Sequence, residues 1–297
     1  YGGALLHPWF DRDLSIAGRV NYENVDGSLS SILLDLKDPV AFIPSLAIHL
    51  DNKANDGRLI NKQKELPPIL LQLDTDEEFN FEDYLLEHLQ TELGCLDAGA
   101  ILSHELLLYD TQAPALVGLR KQFISSARLD NLLSCYVALH SLIKSKDETA
   151  SVLVCNDHEE VGSVSASGAE GPFLKSILQR MLESEDQSEG SSAANFDRAI
   201  QNSVLLSVDN AHGAHPNFPD KHDIAHSPML NAGPVIKINA NQRYASNSES
   251  IALLKSICNR LHISHQSFVM RSDMACGSTI GPITSALLGI STVDIGI

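Results

Sequence analysis

Hydrophobic and polar positions follow two different rhythms along this chain. Over residues 1–116 the opening is extended: 1–6, 17–23 (AGRVNYE) and 30–36 (SSILLDL) read as strands, with Asp26 and Gly27 as the turn between the last two. The period then lengthens. Segment 83–93 (DYLLEHLQTEL) puts Leu85, Leu86 and Leu89 on one helical face, and Gly94 follows as a stop. At 104–110 (HELLLYD) the pattern returns to strand, so a compact β-rich unit is predicted for 1–116.

Residues 117–297 alternate more regularly. A helix over 129–144 precedes a strand over 151–155 (SVLVC), and a helix over 173–184 precedes a strand over 203–208 (SVLLSV). Strand 234–239 is followed by helix 249–261, strand 267–270, helix 279–288 and strand 292–295. Short apolar strands alternating with amphipathic helices predict an α/β unit, a mainly parallel sheet with helices on both faces. The Ser-, Glu- and Gly-rich stretch 184–196 is expected to be an exposed loop, and no internal repeat is present.

Length and charge narrow the function classes. A chain of 297 residues exceeds what one core usually organises, which makes two domains the expectation. The longest apolar runs, 115–119 and 203–208, are too short to span a bilayer. The net charge is −17, from 38 acidic and 21 basic residues, with no Lys/Arg cluster to meet a phosphate backbone, so nucleic acid is excluded as a partner. Most of this acidity is read as solubility. Five cysteines without CxxC spacing point to reduced thiols in a cytoplasmic protein. No secretion or lipidation signal is visible. The chain starts at Tyr1 within a strand-like run and stops at Ile297 within STVDIGI, so both natural termini are expected to lie outside it.

Three acidic sites occupy strand ends or a helix start, where open α/β sheets collect ligands. SVLVC runs into NDHEEVGS, placing Glu159 and Glu160 past its end; SVLLSV runs into Asp209; and Asp130 opens a helix in ARLDNL. Each has a plainer reading. Asp130 suits a helix dipole, and the glutamates suit a solvated turn. Adjacent carboxylates repel, however, and a cation or shared proton usually explains such a pair beside an apolar strand. Asp209 after an apolar run needs partners if it is desolvated, and His212 and His215 follow it at i+3 and i+6. Divalent ions take carboxylates, zinc takes carboxylate with imidazole, and a two-metal hydrolase needs a bridging carboxylate, terminal ligands and a free carboxylate base. Composition and spacing thus support a carboxylate-rich hydrolytic metal site and nothing finer.

At these same residues the chain resembles the aspartyl aminopeptidase family, dinuclear-zinc metallo-aminopeptidases, in its bacterial type. The resemblance rests on YGGALLHPWFDRDLSIAGRV (1–20), ARLDNLLSC (127–135), NDHEEVGS (156–163), SVDNAHGAHPNFPDKH (207–222), GPVIKINANQRYASN (233–247) and RSDMACGSTIGP (271–282), and it is collinear over essentially the whole chain. It implies a zinc-exopeptidase-like fold over 117–297 and an inserted β-rich dimerisation domain over 1–116. Two Zn2+ per subunit are implied, exchangeable with Co2+ or Mn2+. Asp130 matches the bridging ligand, Glu160 and Asp209 the terminal ligands, and Glu159 the general base. His212, Lys237 and Tyr244 match substrate contacts, with Lys237 suited to an acidic first side chain. His49 matches a histidine that enters a neighbouring subunit's site, although its own sequence context reads as a helix face. His215 is a weaker candidate at one remove from the substrate, and Gly277 and Ser278 are pocket-wall candidates.

The same resemblance implies peptide substrates, a cis peptide bond after Asp130, and a homo-oligomer built from dimers into a tetrahedral dodecamer. The family also uses two histidine ligands that this chain lacks, so residues 1–297 by themselves are expected not to hold both ions. Three rival readings stand beside it. One is a serine or cysteine hydrolase, disfavoured because no GxSxG elbow exists. The others are a non-catalytic assembly subunit, and a broader-specificity aminopeptidase or a dinuclear carboxypeptidase on the same core.

Overall fold

A computed structural model of the chain describes residues 2–146, 150–185 and 192–297. They form two compact units, Ala4–Ala127 and Arg128–Ile297, the second including Gly2 and Gly3. The division falls at Ala127, later than the expected 116, because a small hairpin of β4 (Ala115–Val117) and β5 (Phe123–Ser125) carries the chain through that interval.

In the first unit β1 (Leu14–Asn24) is the central strand, paired antiparallel with β2 (Leu29–Asp35) and β3 (Ala98–Asp110) in the order β2-β1-β3. The Asp26-Gly27 turn forms as expected: Gly27 has φ +82°, and Asp26 Oδ1 accepts from Ser28 N–H at 2.9 Å. Residues 1–6, expected as a strand, form none among those described; instead a single 3-10 turn, His7–Trp9, follows with Pro8 near its start. The paired glycines there have no side chains with which to pack a pleated surface. A one-turn helix, α1 (Lys62–Glu65), precedes α2 (Phe81–Thr91), which begins where Asn80 accepts from the N–H groups of Glu82 and Asp83. The face carrying Leu85 and Leu89 packs with Val20, Tyr22, Leu34 and Ala98 into the unit's main core, both leucines being fully buried. Exchanging Leu85 for Ala is expected to destabilise this unit by about 2–5 kcal/mol, read as an earlier denaturation midpoint. A loss below about 0.5 kcal/mol would place Leu85 outside the core.

The second unit has a four-stranded sheet in the order β6-β9-β7-β8: β6 (Val204–Asp209), β7 (Val235–Ile238), β8 (Gln266–Val269) and β9 (Ser291–Gly296). β6 with β9 and β7 with β8 are parallel, and β9 with β7 is antiparallel, so the sheet is mainly parallel. Side-chain alternation sorts its two faces. Val208, Ile236, Val293 and Ile295 pack on Ile251 and Leu254 of α6 (Ser248–Arg260). The opposite face carries Ser207, Asp209, Lys237 and Asp294, and α7 (Ile280–Leu288) lies against it so closely that a Cβ on Gly281 would stand 2.2 Å from Asp294 Oδ1. α3 (Leu129–Lys144), α4 (Phe173–Glu185) and α5 (Ser192–Gln201) complete the unit.

Two expectations fail here. Residues 151–155 form no strand, since a strand needs a neighbour for its N–H and C=O groups and none runs beside this segment among the described residues. Within the stretch 184–196, read as a loop, residues 184–185 end α4 and 192–196 begin α5, while 186–191 lie outside the described residues. Ser and Ala there serve a helix as readily as a loop.

Candidate metal centre

Asp130 sits in the first turn of α3, after Arg128 in the left-handed region (φ 59°), and its own φ −80° and ψ 114° are not helical. The Asp130–Asn131 peptide bond is cis, as the resemblance implies. Asn131 Nδ2 donates to Val208 O at 3.3 Å and Ser134 Oγ to Asn210 Oδ1 at 3.3 Å, so the start of α3 is tied to both sides of Asp209. Glu159 and Glu160 share one 3-10 turn, Glu159–Val161, entered through His158 at φ 58°. That turn is braced by Ser163 N–H on His158 O at 2.8 Å and by His158 Nδ1 with Ser165 Oγ at 2.9 Å. Gly2 lies against it: a Cβ there would come within 2.6 Å of Glu160 O.

Asp209 ends β6 and meets the Lys237 ammonium at 2.9 Å, although β9 runs between their strands. The β9 residue opposite Asp209 is Gly296, which offers no side chain to obstruct that reach. A Cβ on it would lie 2.3 Å from that of Ala211. Lys237 is buried, and its Nζ stands 5.6 Å from the centroid of the buried Tyr244 ring, a cation–π distance. Asp130, Glu159, Glu160 and Asp209 all line one cavity of about 500 Å³.

The carboxylates act on one another. Asp130 is pushed up to about 6 by loss of solvent around its carboxyl, then by the charge of Asp209, a hydrogen bond with it, and Glu160. Glu159 is raised by burial and next by Asp209, Glu160 and Asp130. As whole residues Asp130 and Glu159 remain exposed, and the repulsion among like charges is what a bound cation would relieve. Burial also pushes Asp209 upward, but the Lys237 ammonium, with hydrogen bonds from it and from Asn210, holds it below the ordinary carboxylate value. Four oxygen-donor groups lining one cavity suit a divalent cation in their chemistry. Among the described residues no three His, Cys, Asp or Glu side chains already close around a single point.

The remaining candidates distribute unevenly. Tyr244 lies beside Lys237 rather than on the cavity lining, its hydroxyl pushed up by burial and by Cys276 beside it. His212 is exposed with its ring 6.2 Å from that of Phe268, which packs on Tyr244 and Val235. The His215 ring lies tilted against that of Phe218, 4.9 Å between centroids, and is not part of the cavity lining. Gly277 and Ser278 are exposed, and Ser278 Oγ donates to Arg243 O at 3.1 Å. His49 belongs to the other unit, in an exposed turn closed by Leu50 N–H on Ala47 O, not on a helix face. Pro44 and Ser45 just before it supply turn chemistry that its apolar neighbours mask. Asp294, a carboxylate inside the apolar run TVDIG, is buried on the same face of the sheet as Asp209 and Lys237.

The profile of the family described as aminopeptidase I zinc metalloprotease (M18) matches residues 1–297. The probable M18 family aminopeptidase 2 of Ectopseudomonas mendocina is 58% identical over all 297 residues, which span 67% of that relative. A chain of the cryo-EM structure of the Ape4 and Nbr1 complex superposes with a TM-score of 0.89 at 39% identity; this chain is wholly covered and spans 59% of that one. A chain of the S. cerevisiae mApe1 dodecamer gives a TM-score of 0.74 at 27% identity, with 100% of this chain and 65% of that one covered.

Proposed function

The chain belongs to the M18 family of zinc metallo-aminopeptidases, and from that premise we propose that it removes the first residue of peptides, with Asp or Glu preferred. The observation that carries the reading is the grouping of Asp130, Glu159, Glu160 and Asp209 around one cavity, with the Lys237 ammonium paired to Asp209. Asp130, Glu160 and Asp209 would hold two Zn2+, replaceable by Co2+ or Mn2+, with Asp130 shared between the ions. Zinc in such a site supplies Lewis acidity and lowers the pKa of water. Glu159 takes the proton of the attacking water and returns it to the leaving amine. Its raised pKa suits both halves of that exchange. Asp209 accepts from the substrate's amino group, which confines cleavage to the first bond. His212 and Tyr244 border the incoming residue.

Lys237 selects the acidic side chain. A buried ammonium keeps an anionic partner, and where Asp209 serves here a substrate carboxylate can take its place. Exchange of Lys237 for Leu is expected to lower kcat/KM for a Glu-linked chromogenic amide, relative to an Ala-linked one, by about 10- to 100-fold. An unchanged ratio on the full-length protein would end the acidic-substrate reading. No turnover of either amide, or turnover insensitive to phenanthroline, would favour a non-catalytic subunit or another hydrolase class.

The unit around β1 to β3 is proposed to mediate dimerisation, corresponding to the 1–116 domain, with His49 presented to a partner's site. The likeness to the yeast dodecamer supports assembly of those dimers into a dodecamer. Sedimentation of the full-length protein as a dimer or monomer would contradict it. Among the described residues no helix is long and apolar enough to cross a membrane, and a cytoplasmic location is proposed with the free thiols as support.

A further inference from the structure

We propose that Asp294 is a positioning residue for the choice of first residue, locking together the two segments that wall Lys237; this rests on the aminopeptidase reading above. Asp294 lies in β9 at 1% exposure, between Val293 and Ile295, which fill the opposite apolar face. A carboxylate desolvated to that degree persists only where donors are aimed at it. Its Oδ2 accepts from the Ala245 N–H, and its Oδ1 accepts from Thr279 Oγ at 2.7 Å. Its backbone is held as well, since Asp294 N donates to Ser246 Oγ at 2.9 Å and Ser246 Oγ lies 3.3 Å from Asp294 O. On the same face and opposite in register, the buried Ser207 hydroxyl has no partner among the described residues. The carboxylate therefore serves not its strand neighbour but the loops beyond the sheet.

Those loops frame the Tyr244 ring that stands over Lys237. Ala245 follows Tyr244, whose ring faces Lys237, and Thr279 follows Cys276, Gly277 and Ser278, of which Cys276 lies against the Tyr244 hydroxyl. A second link, Ser278 Oγ to Arg243 O at 3.1 Å, joins the same two segments from the exposed side. The absence of a side chain at Gly281 lets the first turn of α7 come down onto the carboxylate, where a Cβ would collide at 2.2 Å. Asp294 is thus the buried half of a clamp that sets how far Tyr244 and Cys276 stand from the ammonium. A looser clamp widens the pocket and admits water to Lys237, weakening an acidic side chain more than a neutral one.

The test uses the full-length, zinc-loaded protein carrying Thr279→Val, which keeps shape and removes one donor, with Thr279→Ser as the conservative restoration. Thr279→Val is expected to lower the Glu-to-Ala selectivity in kcat/KM about 10-fold, chiefly through KM for the Glu amide. It is also expected to speed hydrogen exchange at the Ala245 amide about 10-fold with zinc content unchanged. Thr279→Ser is expected to restore both. Should Thr279→Val not fold, Asp294→Asn, which retains one acceptor and the volume, is expected to show the same two changes. Faster exchange with unaltered selectivity would overturn the proposal, as would an equal loss for both amides accompanied by loss of zinc. Absence of turnover in the unaltered protein would overturn the aminopeptidase reading first, and the exchange measurement would still show whether the clamp exists.

Discussion

Exchanging Glu159 for Gln is expected to reduce kcat on the order of 10²- to 10⁴-fold while leaving the zinc content of the full-length protein unchanged. Gln keeps the volume of Glu and one oxygen acceptor, but it does not take and return a proton at neutral pH. The neighbouring position separates base from ligand. Glu159 and Glu160 share one short turn, and Glu159 is shifted upward by burial and then by Asp209, Glu160 and Asp130. A carboxyl moved toward the working pH is a better proton shuttle than an ordinary one. Glu160→Gln is expected to show the converse, a fall in bound zinc with activity restored in part by excess metal. Steady-state rates on a Glu-linked amide, with metal measured on the same samples, decide between them. Turnover retained in Glu159→Gln would remove it from the reaction.

The cavity joins pieces that the chain keeps far apart, and their legibility differs for physical reasons. Asp209 was readable because a carboxylate directly after five strand residues must find partners, and its partner is Lys237 across a glycine in the intervening strand. The helices and strands from 129 to 144 and from 204 to 296 fall close to their expected bounds, since their apolar period, caps such as Asn247 and stops such as Gly289 agree with one another. Segment 151–155 had the right composition and no ladder partner, something a period of two does not report. The exposed turn at His49 and the helix over 192–201 differ from expectation for the same reason: both lie where local composition supports more than one backbone state. Asp294 shows the converse failure. Its strand falls where the apolar run predicts, but periodicity does not report which donors a carboxylate inside that run will meet.

Asp130 makes a second large change expected. Asp130→Asn should abolish most turnover, because a neutral amide is a poor bridge for two cations, and bound zinc should fall with it. In the zinc-free protein the same exchange should be stabilising above neutral pH. The Asp130 carboxyl is pushed up to about 6, first by loss of solvent and then by Asp209 and Glu160, against about 3.9 in an unfolded chain. Between those values the folded protein retains a proton that the unfolded chain has released. That contribution to stability is therefore complete below about pH 4, is lost as pH rises through about 6, and stays absent above. Because the residue is exposed, screening reduces its size to about 1 kcal/mol. Asp209, held low by Lys237, works in the opposite sense and lends stability that disappears on acidification. The informative quantity is consequently the difference between zinc-free parent and Asp130→Asn, measured by denaturation at pH 4.5 and pH 7. Parent and variant should agree more closely at the lower pH, with the variant ahead at the higher one. Equal gaps at both would mean that Asp130 feels no repulsion from Asp209 and Glu160, and the case for these carboxylates as one cation-binding group would fail with it.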